Sequence, residues 1–141
     1  MMNNRHNFTM KTTRKALTDL VGRINALLEP RDLPDRVTYV VNLVLEEILT
    51  NIVKYGFDDD HVHDVEVTLI LDPDEISIEF EDRGKQFDPL SVSPPPLDES
   101  LMDMEPGGRG IHLVRTMANS MTYRRDRDKN ILTVSVRHRE Q

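Results

Sequence analysis

The chain has 141 residues, of which 38% are hydrophobic and 30% charged, and its formal net charge is −7. This length fits one domain with a hydrophobic core, and we expect residues 1–141 to form a single domain. The acidic balance disfavours nonspecific nucleic-acid binding, and the absence of cysteine excludes disulfides, thiol catalysis and cysteine-ligated zinc. No apolar run is as long as a membrane span and the first residues lack a signal peptide's hydrophobic region, so we expect a cytoplasmic protein without membrane contact.

The first half of the chain predicts one strand and two helices. Residues 7–10 (NFTM) suggest a short first strand, and residues 12–28 place apolar side chains at the three- and four-residue spacing of an amphipathic helix. The segment EPRDLPD interrupts this pattern, and Pro34 suits the first turn of a second helix. We expect that helix to run to about Tyr55 and to be capped by Gly56.

The second half predicts two hairpins around a long loop. Residues 65–71 and 75–82 alternate apolar and polar side chains and are joined by a short turn, which is typical of an antiparallel hairpin. Residues 88–106 have three consecutive prolines and no clear period, as in a lid or a mobile insertion. A glycine turn and a short helix follow, and a second hairpin with its turn near Asp128–Asn130 ends the chain. We therefore predict an α+β fold, a two-layer sandwich of a mixed, mostly antiparallel sheet with helices on one face.

Polar residues interrupt the apolar pattern at two places. In the second helix, Asn51 falls within the apolar arc and Glu47 at its edge, one helical turn apart on the same side. The simpler alternative is a partly solvated Glu47 and a local hydrogen bond from Asn51. Counting by two along the strand 75–82 puts Asp82 on the inward face, where a carboxylate is costly to bury without a partner. The simpler alternative for Asp82 is an Asx turn at the strand end.

A third feature is the run Gly107-Gly108-Arg109-Gly110 that opens the short helix. Glycines let a ligand approach the backbone closely, and the amides at a helix N-terminus can bind anions. Most isolated runs of this kind are simply turns. This one has neither the spacing of a Walker A loop nor the strand context of a dinucleotide fingerprint.

The order and spacing of these features form a recognisable set: Glu47-x-x-x-Asn51, Asp82-x-Gly84-x-x-Phe87 and Gly107-Gly-x-Gly110. With this set the sequence resembles the GHKL (Bergerat-type) ATP-binding superfamily and, within it, the anti-sigma-factor serine/threonine kinases. The resemblance covers about residues 8–136. EEILTNIVKYGF resembles the N box of that family, FEDRGKQFD its first glycine box, and PGGRGIHLV its second.

The resemblance implies a role for each motif residue in ATP binding or catalysis. Asn51 would coordinate Mg²⁺ through its side-chain oxygen, which suits a hard cation. Glu47 would be the general base that accepts the proton of the attacking hydroxyl. Asp82 would accept a hydrogen bond from the adenine amino group, and Gly84 would allow the ring to approach.

The second glycine box and the preceding loop would surround the phosphates. The resemblance includes Gly107 in the ATP site and implies that Gly108 and Gly110 offer backbone amides to the phosphates. Residues 88–106 would form the ATP lid. Arg109 is placed to reach a γ-phosphate, although an exposed loop arginine is an equal alternative.

Two aromatic residues belong to the implied site, and two histidines lie near it in the chain. Phe87 ends the first glycine box, and Tyr55 stands where the family often has histidine, a change that bears on phosphate contacts. His61 and His63 raise the possibility of a metal site, but solvated side chains in an acidic loop are the simpler interpretation.

The resemblance implies a serine/threonine protein kinase that uses ATP and Mg²⁺, phosphorylates a small anti-anti-sigma (STAS-type) protein and sequesters a sigma factor. It also implies a homodimer that pairs through the sheet region. One alternative is an ATP-dependent protein-binding switch without phosphoryl transfer. Another is a detached ATPase module of a two-component system, which the lack of long dimerisation helices with a phosphoacceptor histidine disfavours.

Overall fold

The computed structural model describes residues 4–91 and 108–138, with side chains in the second range described from Gly110 onward. The described helices and strands follow in this order: β1 (Arg5–Lys11), α1 (Arg14–Leu28), α2 (Asp35–Tyr55), β2 (Asp64–Leu71), β3 (Glu75–Asp82), α3 (Gly108–Met117), β4 (Ser120–Asp126) and β5 (Lys129–Arg137). Short 3₁₀ turns lie at Glu29–Arg31 and Pro89–Ser91. Every predicted strand and helix is present, with end points that differ by a few residues.

The five described strands form one sheet in the order β1-β2-β3-β5-β4. The predicted α+β class is confirmed. Each of the four pairings is antiparallel, so the described strands contain no parallel pair of the kind that a mixed sheet includes. The central pairing of β3 with β5 places Asp82 opposite Asn130, at the end of the sheet where β3 finishes.

One face of the sheet and the helices enclose the hydrophobic core. Alternating side chains of β2, β3 and β5 are buried, as the period-two pattern predicts. The opposite face carries polar residues, including the hydroxyls of Ser77 and Ser135, which lie 3.1 Å apart across β3 and β5. The apolar stripe of α2 packs into the core through side chains at three- and four-residue spacing: Val37, Val40, Val41, Val44, Leu45, Ile48 and Leu49.

A pair of amides fixes α2 against α1. Asn25 donates to Asn42 Oδ1 over 2.8 Å, and Asn42 donates to Asn25 Oδ1 over 2.9 Å. Each amide nitrogen also donates to the backbone carbonyl four residues earlier in its own helix. Partly buried amides that satisfy one another in this way hold the two helices in one register.

The end of α2 differs in conformation from the glycine cap that the sequence predicts. Gly56 is the C-terminal capping residue, but its φ of −70° is right-handed rather than left-handed. A Cβ at this position would lie only 2.6 Å from the carbonyl oxygen of Ile52. Glycine is therefore needed here for space and not for a positive φ. None of the described helices is long and apolar enough to cross a membrane.

Candidate functional site

A cavity of about 480 Å³ lies between the C-terminal half of α2 and the end of the sheet where β3 finishes. Its volume is within the range of small-molecule binding sites. Apolar side chains such as Ile48, Phe80 and Leu132 line it together with a few polar groups. Four of the residues that the sequence predicted for a ligand site also line this cavity: Asn51, Tyr55, Asp82 and Phe87.

Asp82 is a buried carboxylate at one end of the cavity, with 7% of its surface exposed. Its Oδ1 accepts hydrogen bonds from the backbone N–H of Gly84 at 2.8 Å and from Nδ2 of Asn130 at 3.0 Å. The bond to Gly84 is the Asx turn that the simpler interpretation expects. Oδ2 accepts no hydrogen bond from the part of the chain that the structure describes, so the turn leaves one carboxylate oxygen for a ligand.

Gly84 makes a close approach that a larger residue would prevent. A Cβ at Gly84 would overlap the carbonyl oxygen of Gly56 and lie 2.9 Å from Asp82 Oδ1. The same carbonyl of Gly56 accepts a hydrogen bond from the backbone N–H of Lys85 at 2.9 Å. The chain after β3 thus lies directly on the end of α2, which closes the Asp82 end of the cavity.

Asn51 and Glu47 lie further back along α2. Nδ2 of Asn51 is buried and has no hydrogen-bond partner among the described residues. An unpaired buried amide is costly unless a ligand satisfies it. Glu47, one turn earlier, is half-buried and is not among the residues that line the cavity.

Glu47 instead contacts the start of α3. A Cβ at Gly110 would overlap the carboxylate of Glu47 and lie 3.0 Å from its Cγ. The missing side chain of Gly110 therefore leaves the space in which Glu47 lies. The contact brings Glu47 of α2 together with the glycine run that opens α3.

The structure describes only some of the other residues of the second glycine box. The helix begins at Gly108, so the prediction that glycines open a helix is confirmed, and Arg109 is placed by its backbone alone. Gly107 lies outside the described residues, as do residues 92–106 of the predicted lid.

The aromatic residues of the predicted site are both partly open to solvent. Tyr55 is 49% exposed and Phe87 47% exposed, and both line the cavity. Rings in this position offer flat apolar surface to a planar ligand while they keep an edge in water.

Sequence reasoning missed Asn130 and Tyr123, which also line the cavity. Asn130 is only 7% exposed and holds Asp82 from the neighbouring strand. The sequence predicts the turn of the last hairpin near Asp128–Asn130. In the structure the turn is at Arg127 and Asp128, and Asn130 lies within β5. Counting back by two from Val136 would have put Asn130 on the inward face and identified it as a third polar interruption.

The turn between β4 and β5 is attached to the chain after β3. Arg83 Nη1 donates to both carboxylate oxygens of Asp128, at 2.9 and 2.7 Å. This hydrogen bond from Arg83 lowers the pKa of Asp128 below its usual value. Arg125 Nη1 donates to the carbonyl oxygen of Gly84 at 3.0 Å. These contacts hold the Asp82 end of the cavity in place.

His61 and His63 make local contacts in the loop after α2. His63 Nε2 lies 2.7 Å from Asp59 Oδ1 and lowers the pKa of that carboxyl, and the His63 ring stacks on Phe57 at 3.8 Å. His61 shares the loop, where its backbone N–H donates to Asp59. Within residues 4–91 and 108–138, no group of three His, Asp or Glu side chains is arranged to hold a metal ion.

The family of the chain follows from comparison with known proteins. The model of the histidine kinase-like ATPase domain matches residues 10–136. The chain belongs to this family. Membership in a family of ATPase domains implies ATP binding, and the cavity offers a buried acceptor at Asp82 and an unpaired amide at Asn51 for such a ligand.

Named relatives of the histidine kinase-like ATPase family include kinases and anti-sigma factors. The chain is 34% identical over 100 residues to the serine/threonine-protein kinase BtrW of Bordetella bronchiseptica, covering 71% of this chain and 70% of that protein. It is 28% identical over 89 residues to an anti-sigma F factor of Clostridium perfringens, covering 63% of this chain and 64% of that protein.

Solved structures of other proteins have a similar fold. A crystal structure of RsbU and RsbW domains from Mycobacterium tuberculosis superposes with a TM-score of 0.68 at 12% identity, covering 96% of this chain and 32% of that one. The histidine kinase AdeS of Acinetobacter baumannii superposes with a TM-score of 0.51 at 14% identity, covering 99% of this chain and 70% of that one. At these identities the likeness shows the fold alone.

The close approach at Gly84 leads to a prediction about stability. Gly84→Ala should lower the free energy of unfolding, because its Cβ must displace the backbone of Gly56. Gly22→Ala is the matched control: no atom lies within 4 Å of its Cβ position on the exposed face of α1. We expect this control to raise stability by about 0.5–1 kcal/mol. Urea denaturation measures the free energy of unfolding of both variants. Equal stabilisation by the two substitutions would contradict the described packing.

Proposed function

We propose that the protein is an ATP-dependent serine/threonine kinase that phosphorylates a small anti-anti-sigma-type protein and also sequesters a sigma factor. One observation carries this proposal. Among the described residues, the cavity has an unpaired carboxylate oxygen at Asp82 and an unpaired amide nitrogen at Asn51, and Glu47 lies one turn before Asn51 on α2, against Gly110.

The Asp82 end of the cavity suits the base of ATP. The free Oδ2 of Asp82 is an acceptor for the 6-amino group of adenine, which is a donor. The close packing of Gly84 on Gly56 brings the chain after β3 against the end of α2 here. Phe87 and Tyr55 supply apolar surface for the ring and the sugar.

The other end of the cavity suits the phosphates. Glu47 and Gly56 are about 14 Å apart along the axis of α2 at 1.5 Å per residue, so a nucleotide extended along the helix spans from the base site to Glu47. The backbone amides at the start of α3 belong to Gly108, Arg109 and Gly110, and amides at a helix N-terminus bind anions. Arg109 belongs to the same turn, and the family resemblance makes it a further candidate for the terminal phosphate.

Asn51 is the residue that would hold Mg²⁺. Its Nδ2 has no hydrogen-bond partner among the described residues, and the oxygen and nitrogen of an amide exchange places by a half-turn of the side chain, so the oxygen can be presented to a ligand. Mg²⁺ held there would offset the negative charge that develops on the phosphates during transfer. An amide oxygen on a rigid helix suits such a hard cation, which retains several water ligands.

Glu47 would act as the general base. Its carboxylate accepts the proton of the substrate hydroxyl, the hydroxyl oxygen bonds to the γ-phosphorus, and the bond to the β-phosphate oxygen breaks to release ADP. The contact with Gly110 holds the carboxylate at the start of α3, beside the proposed phosphate site. An acceptor protein would present its serine or threonine there.

The proposed partners rest on what the relatives are named for. One relative is a serine/threonine-protein kinase and another an anti-sigma F factor. A sigma factor is therefore one proposed partner, and the other, a STAS-type anti-anti-sigma protein, rests on the family resemblance of the sequence; we propose no direct contact to nucleic acid. The acceptor can be identified by incubating the protein with γ-labelled ATP and a lysate of the source organism, then sequencing the labelled small protein.

Substitution of Glu47 separates catalysis from binding. Glu47→Gln keeps the size and polarity of the side chain but cannot take a proton, so we expect phosphotransfer to fall about 10²- to 10⁴-fold while ATP affinity changes little. Asn51→Ala should lower both the phosphotransfer rate and the affinity for Mg²⁺-ATP, because a ligand of the metal is lost. Single-turnover phosphotransfer to the identified acceptor, run beside ATP titrations, measures both effects.

Glu46→Gln is the matched control for this experiment. Glu46 is the adjacent residue on α2, where it pairs with Arg14 at 2.6 Å outside the cavity, so its amide variant should phosphorylate at the wild-type rate. A wild-type rate in Glu47→Gln would reject the kinase mechanism and favour a protein-binding switch.

We also propose that the protein is a homodimer paired through the sheet region. Light scattering at micromolar concentration should give twice the mass of the 16.3 kDa chain, with or without ATP. A monomeric mass under both conditions would contradict the dimer and leave the proposed kinase site unaffected.

A further inference from the structure

Asn130 is the centre of a hydrogen-bond network behind Asp82. Its Nδ2 donates to Asp82 Oδ1 at 3.0 Å and to the carbonyl oxygen of Lys85 at 2.7 Å. Its Oδ1 accepts from the hydroxyl of Tyr123 at 2.6 Å, from Arg125 Nη1 at 3.1 Å and, at a longer 3.4 Å, from the backbone N–H of Phe87. Both donor hydrogens and both acceptor sites of the amide are thus engaged by protein groups.

The partners of Asn130 determine which way its amide faces. A guanidinium can only donate, so the atom beside Arg125 must be the oxygen. A backbone carbonyl can only accept, so the atom beside Lys85 O must be the nitrogen. The group that faces Asp82 is therefore a donor, and a half-turn of the amide would break the contacts with Asp82, Lys85 and Arg125.

We infer that Asn130, held by Tyr123, is a positioning residue that orients the Asp82 carboxylate and thereby sets the selectivity of the cavity for a 6-aminopurine nucleotide. This inference rests on the proposed function. Asn130 has no hydrogen-bonding capacity left for a ligand, so its effect passes through Asp82.

The orientation matters because a carboxylate rotates easily. The terminal torsion of an aspartate is broad and roughly two-fold, so an unanchored carboxylate samples many planes. The two bonds to Oδ1, from Gly84 and Asn130, fix the plane and leave Oδ2 as the free acceptor. A fixed acceptor favours the 6-amino donor of adenine and opposes the O6 acceptor of guanine.

The β4–β5 hairpin carries the residues that hold the Asp82 carboxylate in its orientation. Tyr123 is on β4 and Asn130 on β5, where it pairs directly with Asp82 of β3. Arg83 and Asp128 attach the turn of this hairpin to the chain after β3. Base selectivity therefore depends on residues of the last hairpin as well as on the first glycine box.

The experiment compares ATP with purine riboside triphosphate, which has hydrogen in place of the 6-amino group. Calorimetry of the full chain with Mg²⁺ gives the ratio of its affinity for ATP to its affinity for purine riboside triphosphate. In Asn130→Ala the ratio should fall about tenfold, because the oriented hydrogen bond is lost. Affinity for purine riboside triphosphate should change by less than about threefold.

Tyr123→Phe and Ser135→Ala complete the set. Tyr123→Phe removes only the hydroxyl that holds Asn130, and the ratio should fall about two- to threefold even if Asn130→Ala does not fold. Ser135→Ala removes a buried hydrogen bond between the same two strands, β3 and β5, away from the cavity. This control should keep the wild-type ratio.

The outcomes distinguish the inference from the proposed function. Equal loss of affinity for both nucleotides in Asn130→Ala, or an unchanged ratio in that variant or in Tyr123→Phe, would overturn the positioning role alone. A wild-type protein that binds neither nucleotide, or binds both equally, would overturn the assignment of the cavity as well.

Discussion

The buried carboxylate of Asp82 is the constraint around which the cavity is organised. A charged group at the inward end of a central strand loses its hydration and must find donors within the protein. Gly84 and Asn130 supply these donors, but both bond to the same oxygen. These two hydrogen bonds offset the desolvation cost of burying Asp82. The site stays open, since the second carboxylate oxygen remains available to a ligand.

Close backbone approaches bring the separate motifs into one site. Gly84 lies on Gly56, which joins the chain after β3 to the end of α2. Gly110 lies beside Glu47, which joins the start of α3 to the middle of the same helix. Because α2 takes part in both contacts, its length and straightness set the distance between the base end and the phosphate end. The amide pair of Asn25 and Asn42 holds this helix in register with α1.

The sequence was sufficient for the elements of the fold because each has a clear periodicity. The stripe of α2 and the alternation of β2 and β3 correspond to the buried faces that the structure shows. Polar residues in core register also identified Asn51 and Asp82 correctly as lining one cavity.

Other features could not be read from periodicity alone. The pairing of β3 with β5 joins residues far apart in the chain, so neither the antiparallel order of the sheet nor the contact between Asp82 and Asn130 followed from local patterns. Gly56 illustrates a different limit: a glycine after a helix suggests a left-handed cap, but here the missing side chain leaves room for the backbone carbonyl of Ile52 one turn earlier. The contact of Glu47 with Gly110 likewise depends on how α2 and α3 pack.

The central claim is that the cavity binds ATP through the free oxygen of Asp82, and Asp82→Asn tests it most directly. Asparagine can keep the oxygen that bonds to Gly84 and Asn130, while its amide nitrogen replaces the free acceptor with a donor. Calorimetry of Mg²⁺-ATP binding to the folded variant should show roughly a ten- to hundredfold loss of affinity relative to the wild type. An unchanged ATP affinity in the folded variant would contradict the account.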